Sequence, residues 1–147
     1  MSNPFSLSTL QKIMHVALSG MMAQKERFLV VSQNLANVGS RASQAGTDPY
    51  ARKTISFVSE MDRKKGVEVV KVKKVDKDSS PFPLVHAPHD PAANADGFVA
   101  ETNVKGLVEM TDAMESKRAY EANLKSYEKA LSMQQDAIGL LKNSSHG

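Results

Sequence analysis

Two stretches of this sequence repeat apolar residues at alternating steps of three and four, and they lie at opposite ends of the chain. In the first, Leu7, Leu10, Met14, Ala17, Met21, Gln24, Phe28, Val31, Leu35 and Val38 follow that spacing, and only Gln24 is polar. In the second, Met110, Ala113, Lys117, Tyr120, Leu124, Tyr127, Leu131, Gln134, Ile138 and Leu141 follow it, with Lys117 and Gln134 the polar members. Steps averaging 3.5 residues mark a helical seam of the coiled-coil kind. An N-terminal helix over about 6–38 is predicted, roughly 50 Å long at 1.5 Å per residue. Ser6 or Ser8 is placed to cap it, and Gly39 stands where a helix end favours a left-handed residue. No Pro lies between 92 and 147, so nothing breaks the C-terminal helix before about Leu141.

Between these ends the character changes. Residues 40–52 are rich in Gly, Ser and Ala around Asp48-Pro49, a loop signature. Thr54–Val58 and Val67–Val72 carry β-branched residues that suit a short hairpin. Residues 76–97 hold Pro81, Pro83, Pro88 and Pro91; such a stretch cannot donate to a regular ladder and is expected to be extended or turned. The fold class expected is mainly α, with long terminal helices packed as a coiled-coil-like pair and a small irregular β/loop insert. The divisions are 1–39 (N-terminal helix), 40–105 (loop and short strands), 106–143 (C-terminal helix) and 144–147 (frayed tail). Two paired helices leave much of each apolar stripe wet, and covering the remainder requires other chains.

Composition excludes several functions. With no Cys there is no disulfide, thiolate metal site or Cys nucleophile. The net charge is +3, and the two basic clusters that stand out, Arg63–Lys65 and Lys71–Lys77, are interrupted by acids; a nucleic-acid surface shows a longer basic stripe with stacking aromatics. The first 24 residues lack a basic region followed by an unbroken apolar run, which predicts neither a cleaved secretory signal nor a membrane span. No Gly-rich phosphate loop or G-x-S-x-G occurs. His86, His89, Asp90 and Asp96 are the one cluster with metal-like spacing, on a Pro-rich turn that does not fix them. The expectation is a protein with no catalytic residue, metal, cofactor or small-molecule substrate.

Family signal sits at specific points. Ala17-Leu18-Ser19-Gly20-Met21-Met22-Ala23-Gln24 leads into Val31-Ser32-Gln33-Asn34-Leu35-Ala36-Asn37, which resembles the first-helix signature of flagellar axial proteins. Pro49-Tyr50-Ala51-Arg52-Lys53, then Asp96-Gly97-Phe98-Val99, Thr102-Asn103-Val104, Glu109-Met110 and Arg118-Ala119-Tyr120-Glu121-Ala122-Asn123, resemble in order the elements of the proximal rod protein C family. Thr102 stands where that family usually has Pro. The resemblance spans about 10–141. It implies a structural subunit of the bacterial flagellar basal-body rod, exported without a cleaved leader through the flagellar type III apparatus and assembled across the periplasm to transmit torque from rotor to hook. Implied partners are copies of itself, other rod proteins and the adaptor that joins rod to ring. The alternative is a soluble helical-hairpin adaptor that binds one partner.

The candidate assembly residues are Leu10, Met14, Ala17, Gly20, Met21, Phe28, Val31 and Leu35 on the first seam, and Met110, Tyr120, Leu124, Tyr127, Leu131 and Ile138 on the second. The residues carried by the resemblance are Asn34, Asn37, Pro49, Tyr50, Gly97, Asn103, Val104, Glu109, Arg118, Glu121 and Asn123. Asn34 and Asn37 fit either hydrogen bonding between subunits or simple helix termination. Gly20, mid-helix at a cost of about 1 kcal/mol relative to Ala, suggests close approach of another helix.

Overall fold

The computed structural model describes residues 6–147. Helix α1 spans Leu7–Ala36 and α2 spans Gly106–Ser144. Between them run strands β1 (Lys53–Asp62), β2 (Val67–Lys77), β3 (Leu84–His86) and β4 (Phe98–Ala100). The fold is mainly helical with a small β insert. The start of the expected 1–39 segment, residues 1–5, lies outside the described residues. The chain forms two compact units: one from the chain up to Glu26, Phe57–Val72 and Ser116–Gly147, the other from Arg27–Ser56 and Lys73–Glu115.

Local chemistry sets the ends of α1. Ser6 caps it, its Oγ accepting the Thr9 N–H at 3.2 Å. The N–H groups of Asn37 and Val38 close the last turn on Asn34 and Leu35 carbonyls, and Gly39 follows at φ 71°, the left-handed stop that glycine supplies without Cβ strain. At the other end of the chain α2 runs on through Lys142, Asn143 and Ser144.

β1 and β2 form a two-stranded sheet. The turn 63–66 that joins them is too short for anything but an antiparallel hairpin. Both strands extend beyond the segments read from the sequence. Most of their side chains are exposed, and Val69 is the buried one of β2, so no buried face wrote a period-2 pattern into the sequence. β3 and β4 pair antiparallel, with Leu84 opposite Ala100, Val85 opposite Val99 and His86 opposite Phe98. Strand structure inside the proline-rich stretch corrects the expectation that it would stay outside any ladder. The three residues of β3 fit between Pro83 and Pro88, and the imino residues limit its length.

In the first unit α1 meets two neighbours. Leu10, Ala17 and Ala23 are buried, together with Val69 of β2 and Ser116 and Ala130 of α2. A Cβ added at Gly20 would stand 2.8 Å from all three amide atoms of Asn123, which lies across the glycine from α2. In the second unit α1 buries Val30, Val31 and Asn34, while Phe28 is 45% exposed. On α2 the residues covered by the chain itself include Glu109, Ser116 and Ala130, one position before Met110, Lys117 and Leu131 of the 3-and-4 line. At Ser116 and Ala130 close contact selects small side chains, and at Glu109 a buried polar junction takes the position, so the large residues that wrote the apolar pattern flank the contact instead of forming it. Met110, Tyr120 and Ile138 are accordingly exposed, and Leu124, Tyr127 and Leu131 are partly covered.

Gly20 offers a graded test. Ala at this position gains about 1 kcal/mol of helix propensity but must displace the Asn123 amide, a movable group. Gly20→Ala is therefore expected to melt within about 1 kcal/mol of the parent, whereas overpacking with Gly20→Leu should cost about 1–3 kcal/mol. Equal stability of the two variants in thermal unfolding would show that the contact with Asn123 is not tight.

Candidate functional site

Residues far apart in sequence converge on one buried carboxylate in the second unit. Glu109, in the first turn of α2, has a fully buried side chain. The Arg52 guanidinium donates through Nε to Glu109 Oε1 and through Nη1 to Asp78 Oδ2 at 3.3 Å. Asn34, at the end of α1 and also fully buried, donates through Nδ2 to Glu109 Oε2 at 3.1 Å and to the Lys53 carbonyl at 2.8 Å. Its Oδ1 accepts the Tyr50 hydroxyl at 2.9 Å and the Lys53 N–H at 2.9 Å. Every hydrogen-bonding position of that amide is used, as a buried polar group requires.

A second layer fixes the segments that supply these groups. Asn103 Oδ1 accepts the Arg52 N–H at 2.7 Å, and its Nδ2 donates to the carbonyls of Asp78 at 3.2 Å and Ser80 at 3.0 Å. Thr102 Oγ1 donates to the Tyr50 carbonyl at 2.6 Å and accepts the Val104 N–H at 3.3 Å. Its own N–H bonds Ser40 O at 2.8 Å. Thr at 102 thus supplies two donors that Pro lacks. Pro49 and Val104 are buried beside this layer.

The electrostatics match the geometry. Arg52 is shifted up: desolvation works against its charge, and the bonds to Glu109 and then Asp78 outweigh it. The hydroxyl and N–H of Ser80, with the Arg52 guanidinium, hold the Asp78 carboxyl below its ordinary range. Burial, and then the Glu109 charge, push the Tyr50 phenol up. Arg27 pairs with Asp112 and, at 3.2 Å, with Glu115 in the same unit.

The junction gathers the candidate residues Asn34, Tyr50, Asn103 and Glu109, joins to them Arg52 and Thr102 from the same motif segments, and adds Asp78. Arg52 stood in a resembling segment without being a candidate residue; its signal was a guanidinium beside Lys53 after the mostly apolar Pro49-Tyr50-Ala51. Asn34 spends its bonds inside the chain, and Asn37 donates to Gln33 O at 2.8 Å in the terminal turn of the helix. Gly97 serves elsewhere, at φ 81° in a turn with Pro88 3.1 Å from where its Cβ would stand. Arg118 and Glu121 lie exposed on α2, and Asn123 covers Gly20. His86 stacks edge-on against Phe98 with ring centroids 5.1 Å apart, and Asp90 caps the Ala92 N–H at 2.9 Å. Among the described residues no three of His, Cys, Asp and Glu are grouped to hold a metal. What the junction does is hold the end of α1, the entry to β1 and the start of α2 together.

A different set of residues faces outward. Leu107, Met110 and Met114 follow the 3-and-4 spacing on α2 and are 80%, 58% and 56% exposed. Spaced so, they form one stripe on one helix face.

Comparison with known proteins gives a consistent picture. Residues 95–140 match the family described as flagellar basal body rod FlgEFG protein C-terminal. The flagellar basal-body rod protein FlgC of Agrobacterium fabrum is 43% identical over 129 residues, covering 88% of this chain and 93% of that protein. The FlgC of Bacillus subtilis is 40% identical over 126 residues, 76% of this chain and 84% of its own. That of Salmonella typhimurium is 35% identical over 115 residues, 78% and 85% respectively.

Proposed function

Because this chain belongs to the flagellar basal-body rod protein FlgC family and is a structural subunit of the bacterial flagellar rod, we propose that its terminal helices are the surfaces through which it polymerises and passes torque from rotor to hook. The observation that supports this reading is the stripe Leu107, Met110 and Met114. One chain leaves it uncovered, and burying each such side chain is worth about 1.5–3 kcal/mol. Seam residues on both helices, Phe28, Tyr120 and Ile138 among them, are likewise left exposed. The subunit assembles with other flagellar rod components; the finer partners proposed are further copies of itself, the adaptor between rod and ring, and, during export, the type III apparatus. Its place is the basal-body rod, proposed here as the proximal part across the periplasm, reached without a cleaved leader. Among the described residues no helix is long and apolar enough to cross a membrane. The work proposed for it is mechanical, and the buried polar groups Asn34, Asn103 and Glu109 are engaged in holding the fold. A single-partner adaptor is not favoured by relatives that are rod proteins.

Deleting the gene should give non-swimming cells whose basal bodies lack rod and hook in electron micrographs. A tagged copy should restore swimming and purify within intact basal bodies. Deleted cells that still build complete basal bodies would overturn the assignment.

A further inference from the structure

Three lysines surround one open cleft in the first unit. The cleft encloses about 480 Å3, and Lys12 of α1, Lys64 and Lys65 of the hairpin turn, and Tyr127 of α2 line it; among the described residues no carboxylate does. The turn holds its two lysines in place. The Asp62 carbonyl accepts the N–H groups of Lys65 at 3.2 Å and Gly66 at 2.7 Å, and Gly66 sits at φ 66°. Asp62 Oδ1 accepts the N–H groups of Lys64 at 3.0 Å and Lys65 at 3.2 Å. Asp62 Oδ2 lies 3.0 Å from His15 Nε2, so that carboxylate is already engaged. The Lys65 ammonium reaches His15 Nδ1 at 3.1 Å, a ring nitrogen that supplies no balancing charge. Among the described residues neither Lys12 nor Lys64 has an acidic partner within ion-pair distance.

Ammonium groups lining one cleft repel one another within a Debye length of about 8 Å, and the nearby carboxylate, Asp62, is already engaged by His15 and by the N–H groups of the turn. We propose that the cleft receives an acidic segment of a neighbouring rod subunit, whose carboxylates enter between Lys12 and the Lys64–Lys65 turn as the rod assembles. The proposal rests on the rod reading and adds the chemistry of the partner. Complementary charge steers such an encounter and fixes its register, and an unmatched subunit is rejected at the same cleft.

The test is a photo-crosslinking amino acid in place of Gln11, which lines the cleft, in cells that build basal bodies. The expected crosslink joins this position to an Asp- or Glu-rich segment of another rod subunit. Lys12→Glu with Lys64→Glu should abolish swimming and that crosslink, Lys12→Gln with Lys64→Gln should shrink swimming halos several-fold, and Lys129→Glu on α2 should leave both unchanged. Circular dichroism of each purified variant separates a folding defect from a docking defect, and the crosslink in otherwise unaltered protein needs no lysine variant at all. A crosslink to an apolar or basic segment would overturn the proposal, as would normal swimming by the Lys12→Glu, Lys64→Glu cells. So would inorganic phosphate shifting the His15 resonances of the purified protein while no subunit is captured, since the cleft would then hold a free anion. Those results leave the rod assignment standing, whereas its own failure appears as complete basal bodies in the deletion strain.

Discussion

Replacing Glu109 with Ala is expected to cost about 3–5 kcal/mol of folding stability, the range for removing one partner of a buried ion pair and stranding the other. The substitution leaves Arg52 without its Nε acceptor and deprives Asn34 Nδ2 of one of its two acceptors. The low end of the range is the better expectation, because the Arg52 side chain is 21% exposed and can turn part of its charge toward water and Asp78. Against a typical total of about 5–15 kcal/mol, the loss is large enough to show as early thermal melting. Glu109→Gln keeps the shape and one acceptor oxygen and should lose less. Exchanging both partners for apolar residues, Arg52→Met with Glu109→Leu, should recover part of the deficit, since the desolvated charge disappears together with its partner. If Glu109→Ala melts within about 1 kcal/mol of the parent, the junction is not what joins α1, β1 and α2.

The second large effect falls on assembly and spares the fold. Leu107→Asp combined with Met114→Asp changes two residues that are mostly in water in the single chain, so stability should move by about 0.5 kcal/mol per site or less. In the rod the same two carboxylates would be buried without partners, at a cost of several kcal/mol for each copy. Cells carrying the double variant are expected to express a folded subunit, to stop building at this point and not to swim. A variant that folds and still supports normal swimming would show that this face of α2 is free in the rod, and the assembly surface would then lie elsewhere on the terminal helices.

The two experiments probe parts of the molecule that the sequence disclosed to different degrees. Helix α1 and helix α2 were legible because each carries a long 3-and-4 repeat free of proline, and because Ser6 and Gly39 mark the start and stop of the first. The hairpin was legible only at its β-branched centres. Its outer parts, Ser59–Met61 and Lys73–Lys77, are exposed and carry no pattern, because nothing is packed on them to select one. β3 was hidden by the prolines around it, which describe where a ladder must stop but not that three residues between them can form one.

The motif residues were visible as a resemblance, yet their roles were not. Asn34 looked like a helix terminator or a contact between subunits, and in the fold it is the hub of an internal network. Sequence spacing places residues on a helix face but says nothing about a partner 75 positions away. By itself the sequence determined two long terminal helices, a non-helical middle, and too little internal cover for their apolar stripes, because periodicity and turn chemistry are local. Only the tertiary structure decided which line of each helix is buried, and that Arg52, Asn34 and Glu109 close one polar junction. Those outcomes depend on close approach between segments distant in the chain, where side-chain size and full hydrogen-bond satisfaction outweigh hydrophobicity.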